Sequence, residues 1–166
     1  MVKLNISTYS EGLSTEKRTV QPSEIDLSDQ EFYHPIDILF NINKIGSEVF
    51  LTAQIKTFAA LECDRCLSDF KYELDETVNI VCTTDSNLVN NDEDDIYFIS
   101  DTTHEINITA SIRDAIILNI PPKKLCIEKC KGLCPRCGIN LNEKTCNCKS
   151  EKIDPRWEAL KKIKFN

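Results

Sequence analysis

Glycine, histidine and tryptophan are scarce in this chain: four glycines, two histidines and one tryptophan among 166 residues. So few glycines leave no phosphate-binding glycine loop. His34 and His104 have no metal-like spacing to any cysteine pair and read as ordinary surface or strand residues. No apolar run approaches the roughly 18 residues that cross a membrane. The opening MVKLNISTYSEG has neither a long apolar stretch nor a small-residue cleavage site, so it is not expected to act as a secretory signal. The expected setting is the cytoplasm, where thiols stay reduced. No catalytic constellation is visible. Asp92, Glu93, Asp94 and Asp95 are contiguous acids without apolar neighbours, the pattern of a solvated run. A non-enzymatic binding protein without a small-molecule substrate is expected.

Cysteine is abundant instead. There are nine, and eight of them form spaced pairs: Cys63 with Cys66, Cys126 with Cys130, Cys134 with Cys137, and Cys146 with Cys148. A short-spaced pair lets one backbone turn aim two sulfurs at one ion, and two such turns complete a tetrahedron with Zn–S near ~2.3 Å. CPRCG (134–138) is the most specific element, because Pro135 fixes the turn and Gly138 permits a positive φ. An odd count in a reducing setting fits poorly with a disulfide framework. A thioredoxin-like C-x-x-C belongs at the start of a helix in a βαβ unit, whereas CDRC lies between strand patterns. The spacing from Cys130 to Cys134 to Cys137 also matches a four-iron cluster, but that reading leaves Cys146 and Cys148 idle. Structural zinc, two ions, is the expectation. The simplest partition puts Cys134, Cys137, Cys146 and Cys148 in one site and Cys63, Cys66, Cys126 and Cys130 in another. A shuffled partition stays open, since Cys130 and Cys134 are close enough to trade places. Cys82 continues the apolar face of Val78 and Ile80 and reads as a core residue.

Charge divides the chain. Residues 121–166 hold twelve Lys/Arg against five Asp/Glu, a balance of +7, and residues 1–120 hold eight against twenty-two, a balance of −14. The first suits a polyanion and the second a basic protein. Candidate nucleic-acid contacts are Lys123, Lys124, Lys131, Arg136, Arg156, Lys161, Lys162 and Lys164, with Lys129, Lys144, Lys149 and Lys152 interleaved. Aromatic platforms are few there, only Trp157 and Phe165.

Periodicity supplies the fold class. VKLNIS (2–7) reads as a short strand, and 8–34 is polar and poorly patterned. Ile36, Ile38, Phe40 and Ile42 alternate, NKIG turns the chain, and Val49, Leu51, Ala53 and Ile55 alternate again. After the CDRCL knuckle the pattern resumes from Phe70 to Cys82, so the knuckle sits at a hairpin of an antiparallel meander. Residues 83–95 form an acidic loop, and 96–100 a strand or loop anchor. A helix is predicted over 108–119, capped by Asn107 or Thr109 and ended by Pro121-Pro122. A second short helix is predicted from Asp154 and Pro155 onward. The expected class is α+β: an antiparallel β meander, barrel-like, with one helix, then a cysteine-rich zinc-ribbon-like C-terminal module and short terminal helix. The expected division is 1–120, a β-rich acidic body with the knuckle at 63–66, and 121–166, a basic zinc module.

The knuckle LECDRCL (61–67), the run LCIEKCKGLCPRCGINLNEKTCNC (125–148) and the closing DPRWEALKKI (154–163) together resemble the YceD family, large ribosomal RNA subunit accumulation proteins. They cover about a third of the chain. The resemblance implies a cytoplasmic ribosome biogenesis factor that supports accumulation of large-subunit ribosomal RNA, with the eight paired cysteines as functional positions and Asp154, Pro155 and Arg156 beside them. The expected partners are that RNA, a basic ribosomal protein, or both. A thiol-based redox or metal-sensing protein and a protein-only adaptor are the alternatives.

Overall fold

Alternating apolar residues build one long sheet. The computed structural model describes residues 1–27, 31–86, 89, 95–100 and 102–148. The helix predicted from Asp154 and the centre of the acidic loop lie outside these. Among the described residues seven strands and one α-helix follow in chain order: β1 (Lys3–Asn5), β2 (Gly12–Val20), β3 (Ile36–Ile45), β4 (Glu48–Glu62), β5 (Asp69–Thr83), β6 (Ile96–Phe98), β7 (Glu105–Asn107) and α1 (Thr109–Leu118). β2 to β6 form a five-stranded sheet in that order, and β1 pairs with β7.

The register explains the core. Phe40 stands opposite Ala53, which stands opposite Val78, and Ile42, Leu51 and Ile80 form the next row. Residues facing each other across antiparallel strands share a face, so these rows bury together. Phe40, Ala53, Ile38 and Ile55 are 0% exposed. Gly46, at φ +59, makes the two-residue turn between β3 and β4. α1 covers the apolar face with Ile112 and Ile116. Its first turn is held by Asn107, whose Oδ1 accepts the Thr109 N–H at 3.1 Å, while Thr109 Oγ1 accepts the Val2 N–H at 2.8 Å.

Three features differ from the sequence expectation. Among the described residues no sheet closes on itself, so the body is an open sheet rather than a barrel. Its apolar face is covered by α1 and the β1–β7 pair, and closure is unnecessary. β2 lies in a stretch the sequence leaves unpatterned, because Ser14, Glu16 and Arg18 occupy its core-side positions opposite Ile42, Phe40 and Ile38. Arg18 pairs with Glu16, donates to Lys3 O at 2.6 Å and lies over the Phe40 ring. Inward-pointing charge on an edge strand discourages pairing with another chain. Finally, β6 runs parallel to β5, with Val81 opposite Ile96, so the meander is antiparallel only as far as β5. The Tyr97 hydroxyl, 2.8 Å from Ser111 Oγ, ties β6 to α1.

β4 and β5 position the site. Each has 15 residues, about 50 Å of strand at roughly 3.3 Å per residue. β3 stops pairing at Lys56, so Thr57–Glu62 and their partners up to Asp69 continue as a two-stranded ribbon. The CDRC knuckle is the tip of that ribbon. Glu31 O accepts the Ala60 N–H at 2.7 Å and braces it from the side.

Candidate metal centres

The knuckle closes on itself: Leu67 N–H donates to Cys63 O at 2.9 Å and Cys63 N–H to Ser68 O at 3.0 Å. Leu67 takes a positive φ of 55° to do so. CPRCG repeats the same turn. Gly138 N–H donates to Cys134 O at 2.9 Å, with φ +70 as its residue type allows. The returning chain then clamps the first knuckle. Asp64 N–H donates to Lys124 O at 2.9 Å, and Lys124 N–H to Asp64 Oδ2 at 2.7 Å. Arg65 Nη1 donates to Cys130 O at 2.7 Å.

These turns gather the sulfurs of Cys63, Cys66, Cys126 and Cys130 within 4.8 Å of one another, and those of Cys134, Cys137, Cys146 and Cys148 likewise. The arrangement is the simplest partition of the pairs, not the shuffled one. In the first set Cys63, Cys66 and Cys130 are buried and Cys126 is partly so; in the second Cys137 and Cys148 are exposed. Each set is an S₄ donor group that could hold a metal ion. A tetrahedral ion with Zn–S near 2.3 Å needs sulfurs about 3.8 Å apart. The separations are 3.8 Å for Cys63–Cys130, 3.6 Å for Cys66–Cys126 and 3.4 Å for Cys134–Cys146. They are well above the ~2.05 Å of a covalent S–S bond.

Electrostatics agrees with the geometry. Burial raises the Cys63 thiol, but the backbone N–H groups of Cys126, Arg65 and Cys66 outweigh it and bring it to about 6. Cys134 falls to about 6 because the N–H groups of Cys137 and Arg136 face its sulfur. Within the same sets, burial and the neighbouring thiols push Cys126 up to about 12. A hydrogen bond with Cys137, together with burial, does the same to Cys148. Four thiolates around one point repel; a cation at the centre removes that penalty and deprotonates the set.

Cys82, by contrast, is fully buried in the core and burial pushes its thiol up to about 11. His34 packs beside Tyr33 and Phe58, and His104 Nδ1 lies 3.0 Å from Ser7 Oγ; neither joins a cysteine set. Of the candidate nucleic-acid contacts, Lys123, Lys131 and Arg136 are exposed. Lys124 is half-buried and its Nζ lies 3.3 Å from Glu31 Oε1, so that charge braces the ribbon. Arg156, Lys161, Lys162 and Lys164 lie outside the described residues. Two residues that bind the site together escaped sequence reasoning. Arg65 is hidden inside the knuckle motif itself. Asn142, whose Nδ2 donates to Cys130 Sγ at 3.2 Å, has no signature beyond a polar residue between two cysteine pairs.

An open β-sheet with a cysteine-lined module folded back on its longest hairpin defines the class: a β-rich protein with two S₄ sites capable of holding metal. The chain belongs to the family described as large ribosomal RNA subunit accumulation protein YceD, whose pattern matches residues 51–164, both cysteine sets included. An uncharacterized protein of Mycobacterium tuberculosis is 28% identical over 127 residues, 75% of this chain and 60% of that relative. A chloroplastic YceD homologue of Arabidopsis thaliana, named as a large ribosomal RNA subunit accumulation protein, is 38% identical over 68 residues, 41% of this chain and 21% of that relative. Bacillus subtilis YlbN is 31% identical over 107 residues, 62% of this chain and 59% of that protein. The chain thus spans no more than about 60% of the length of these relatives. No solved structure matches. Among the described residues no helix is long and apolar enough to cross a membrane.

Proposed function

We propose that this chain is a non-enzymatic, cytoplasmic ribosome biogenesis factor that supports accumulation of large-subunit ribosomal RNA. One observation carries the reading: the family pattern spans the long hairpin, both cysteine sets and the basic segment together. Zinc, one ion per set, is the metal the S₄ donor groups suit best, because a closed tetrahedral thiolate site is the form structural zinc takes. The ions hold residues 126–148 in shape and staple them to the hairpin of the acidic body. Lys123, Lys131, Arg136 and Lys144, together with Arg156, Lys161, Lys162 and Lys164, neutralise RNA phosphates. The body, with its large acidic surplus, repels RNA and suits a basic ribosomal protein awaiting assembly.

Crosslinking in growing cells, followed by sequencing of the attached RNA and identification of attached proteins, tests this. Large-subunit ribosomal RNA attached through residues 121–166 is the expected result. Recovery of protein partners alone would replace the RNA reading with a protein-only adaptor. Reversible thiol oxidation with no bound metal would replace it with a redox sensor.

A further inference from the structure

The two cysteine sets are neighbours, and non-cysteine residues join them. Asn142 lies in the loop between Cys137 and Cys146, both members of the second set. Its side chain leaves that set and donates through Nδ2 to Cys130 Sγ, a member of the first, at 3.2 Å. Its other half fixes the orientation: Oδ1 accepts the Lys131 N–H at 2.8 Å, and only an oxygen can face that donor, so the NH₂ must face the sulfur. Asn140 supports it from the same loop. Asn140 Oδ1 accepts from Asn142 N at 3.0 Å and Nδ2 at 2.9 Å, and Asn140 Nδ2 reaches Ser68 Oγ, just past the first knuckle, at 3.3 Å. The main chain makes the same connection. Leu133 N–H donates to Arg65 O at 3.1 Å, and Leu141 N–H to Gly132 O at 2.9 Å.

The consequence follows from what the loop needs. Residues 138–145 are closed at both ends by cysteines of the second set, so an ion there restrains the loop and holds Asn142 in place. An N–H bond to a metal-bound thiolate orients it and disperses its charge, and such outer contacts are worth about 10–100-fold in metal affinity. We propose that Asn142 is a positioning residue that couples the two centres: metal at Cys134, Cys137, Cys146 and Cys148 raises the affinity of Cys63, Cys66, Cys126 and Cys130 for its own ion. The effect is reciprocal, since a coupling free energy belongs to both sites. The singly loaded form is therefore rarer than it would be for two independent centres. This rests on the reading of the two sets as metal centres.

The test uses the full chain, stripped of metal under reducing conditions and titrated with Zn²⁺ against a chromophoric chelator. Native mass spectrometry counts chains with zero, one and two ions. The parent should show fewer singly loaded chains than the Asn142→Ala variant. Asn142→Ala should weaken the first centre about 10–100-fold and let singly loaded chains accumulate. With Co²⁺ in place of zinc, its sulfur-to-metal charge-transfer band should move to lower energy, because a thiolate without its N–H donor gives up electrons more readily. Cys146→Ser with Cys148→Ser removes the second centre and should weaken the first by a similar factor, and adding Asn142→Ala to that chain should change little more. If Asn142→Ala does not fold, the double cysteine variant decides alone. First-centre affinity within about twofold of the parent in that chain, or additive losses in the triple variant, would overturn the coupling and leave both metal centres standing. A parent that binds no metal would overturn the metal reading and the coupling with it.

Discussion

Two glycines in the cysteine-rich segment have positive φ, and they separate two physical effects. Gly138, at φ +70, has open space where a Cβ would go. Gly138→Ala should therefore cost only the left-handed backbone penalty, about 1–2 kcal/mol. Gly132, at φ +75, would bring a Cβ to 2.9 Å from Arg65 O, a backbone atom of the first knuckle. Gly132→Ala should cost clearly more, because the segment must also lift off the ribbon. Thermal unfolding of the two metal-loaded variants side by side checks the ranking; equal losses would mean that Gly132 makes no close approach. Leu67 occupies the place in the first knuckle that Gly138 holds in the second, also at positive φ, and Leu67→Gly should be neutral or stabilising within about 1 kcal/mol.

Titration makes a second residue-scale prediction. Burial raises the carboxyl of Glu16, but hydrogen bonds from Tyr9 and Arg18 and the charge of Arg18 outweigh it and leave it below its ordinary 4.5. A depressed folded-state value means stability that is full above 4.5 and is lost as pH falls through the folded value. Glu16→Gln should thus lower unfolding stability near neutral pH and narrow its gap to the parent in acid, read from denaturant midpoints at pH 7 and pH 3. A gap that persists at pH 3 would assign the loss to packing rather than charge.

Among the elements, legibility followed burial. β3, β4, β5 and α1 bury one continuous apolar face each, so the alternation from Ile36 to Cys82 and the helical spacing of Ile108, Ile112 and Ile116 declare them. β2 was illegible because an edge strand with Glu16 and Arg18 on its inner side has no apolar period. The parallel pairing of β6 was illegible because three residues, Ile96 to Phe98, carry no direction. The pairing of cysteines was legible from local spacing, but Asn142 and Arg65 were not: their roles arise where residues far apart in sequence meet. Ile112 is 0% exposed against the sheet, and Ile112→Ala should cost about 2–5 kcal/mol in unfolding free energy. The long ribbon gives a sharper element-scale test. Cys63→Ser should remove one metal and, with it, the staple between the ribbon tip and the returning chain. Limited proteolysis near Pro121 to Lys124 should then accelerate. Unchanged protection with two ions still bound would contradict the partition of the cysteines.

The whole molecule combines an acidic body with a basic, cysteine-rich segment, and the charge balance of −14 against +7 divides at residue 120. The central claim is that the basic side contacts large-subunit ribosomal RNA through phosphate. Each neutralised phosphate releases condensed counterions, so the logarithm of affinity falls with the logarithm of salt by roughly 0.7 to 0.9 per contact. The most direct measurement is a salt titration of binding to large-subunit ribosomal RNA by the metal-loaded parent and by a Lys123→Gln, Lys131→Gln, Lys144→Gln variant, whose three exposed lysines sit beside the ligands without being part of them. The account predicts salt-dependent binding by the parent, unchanged metal content in the variant, and a slope flattened by about two to three units. An unchanged slope in the variant, or no measurable RNA binding by the parent, would contradict it.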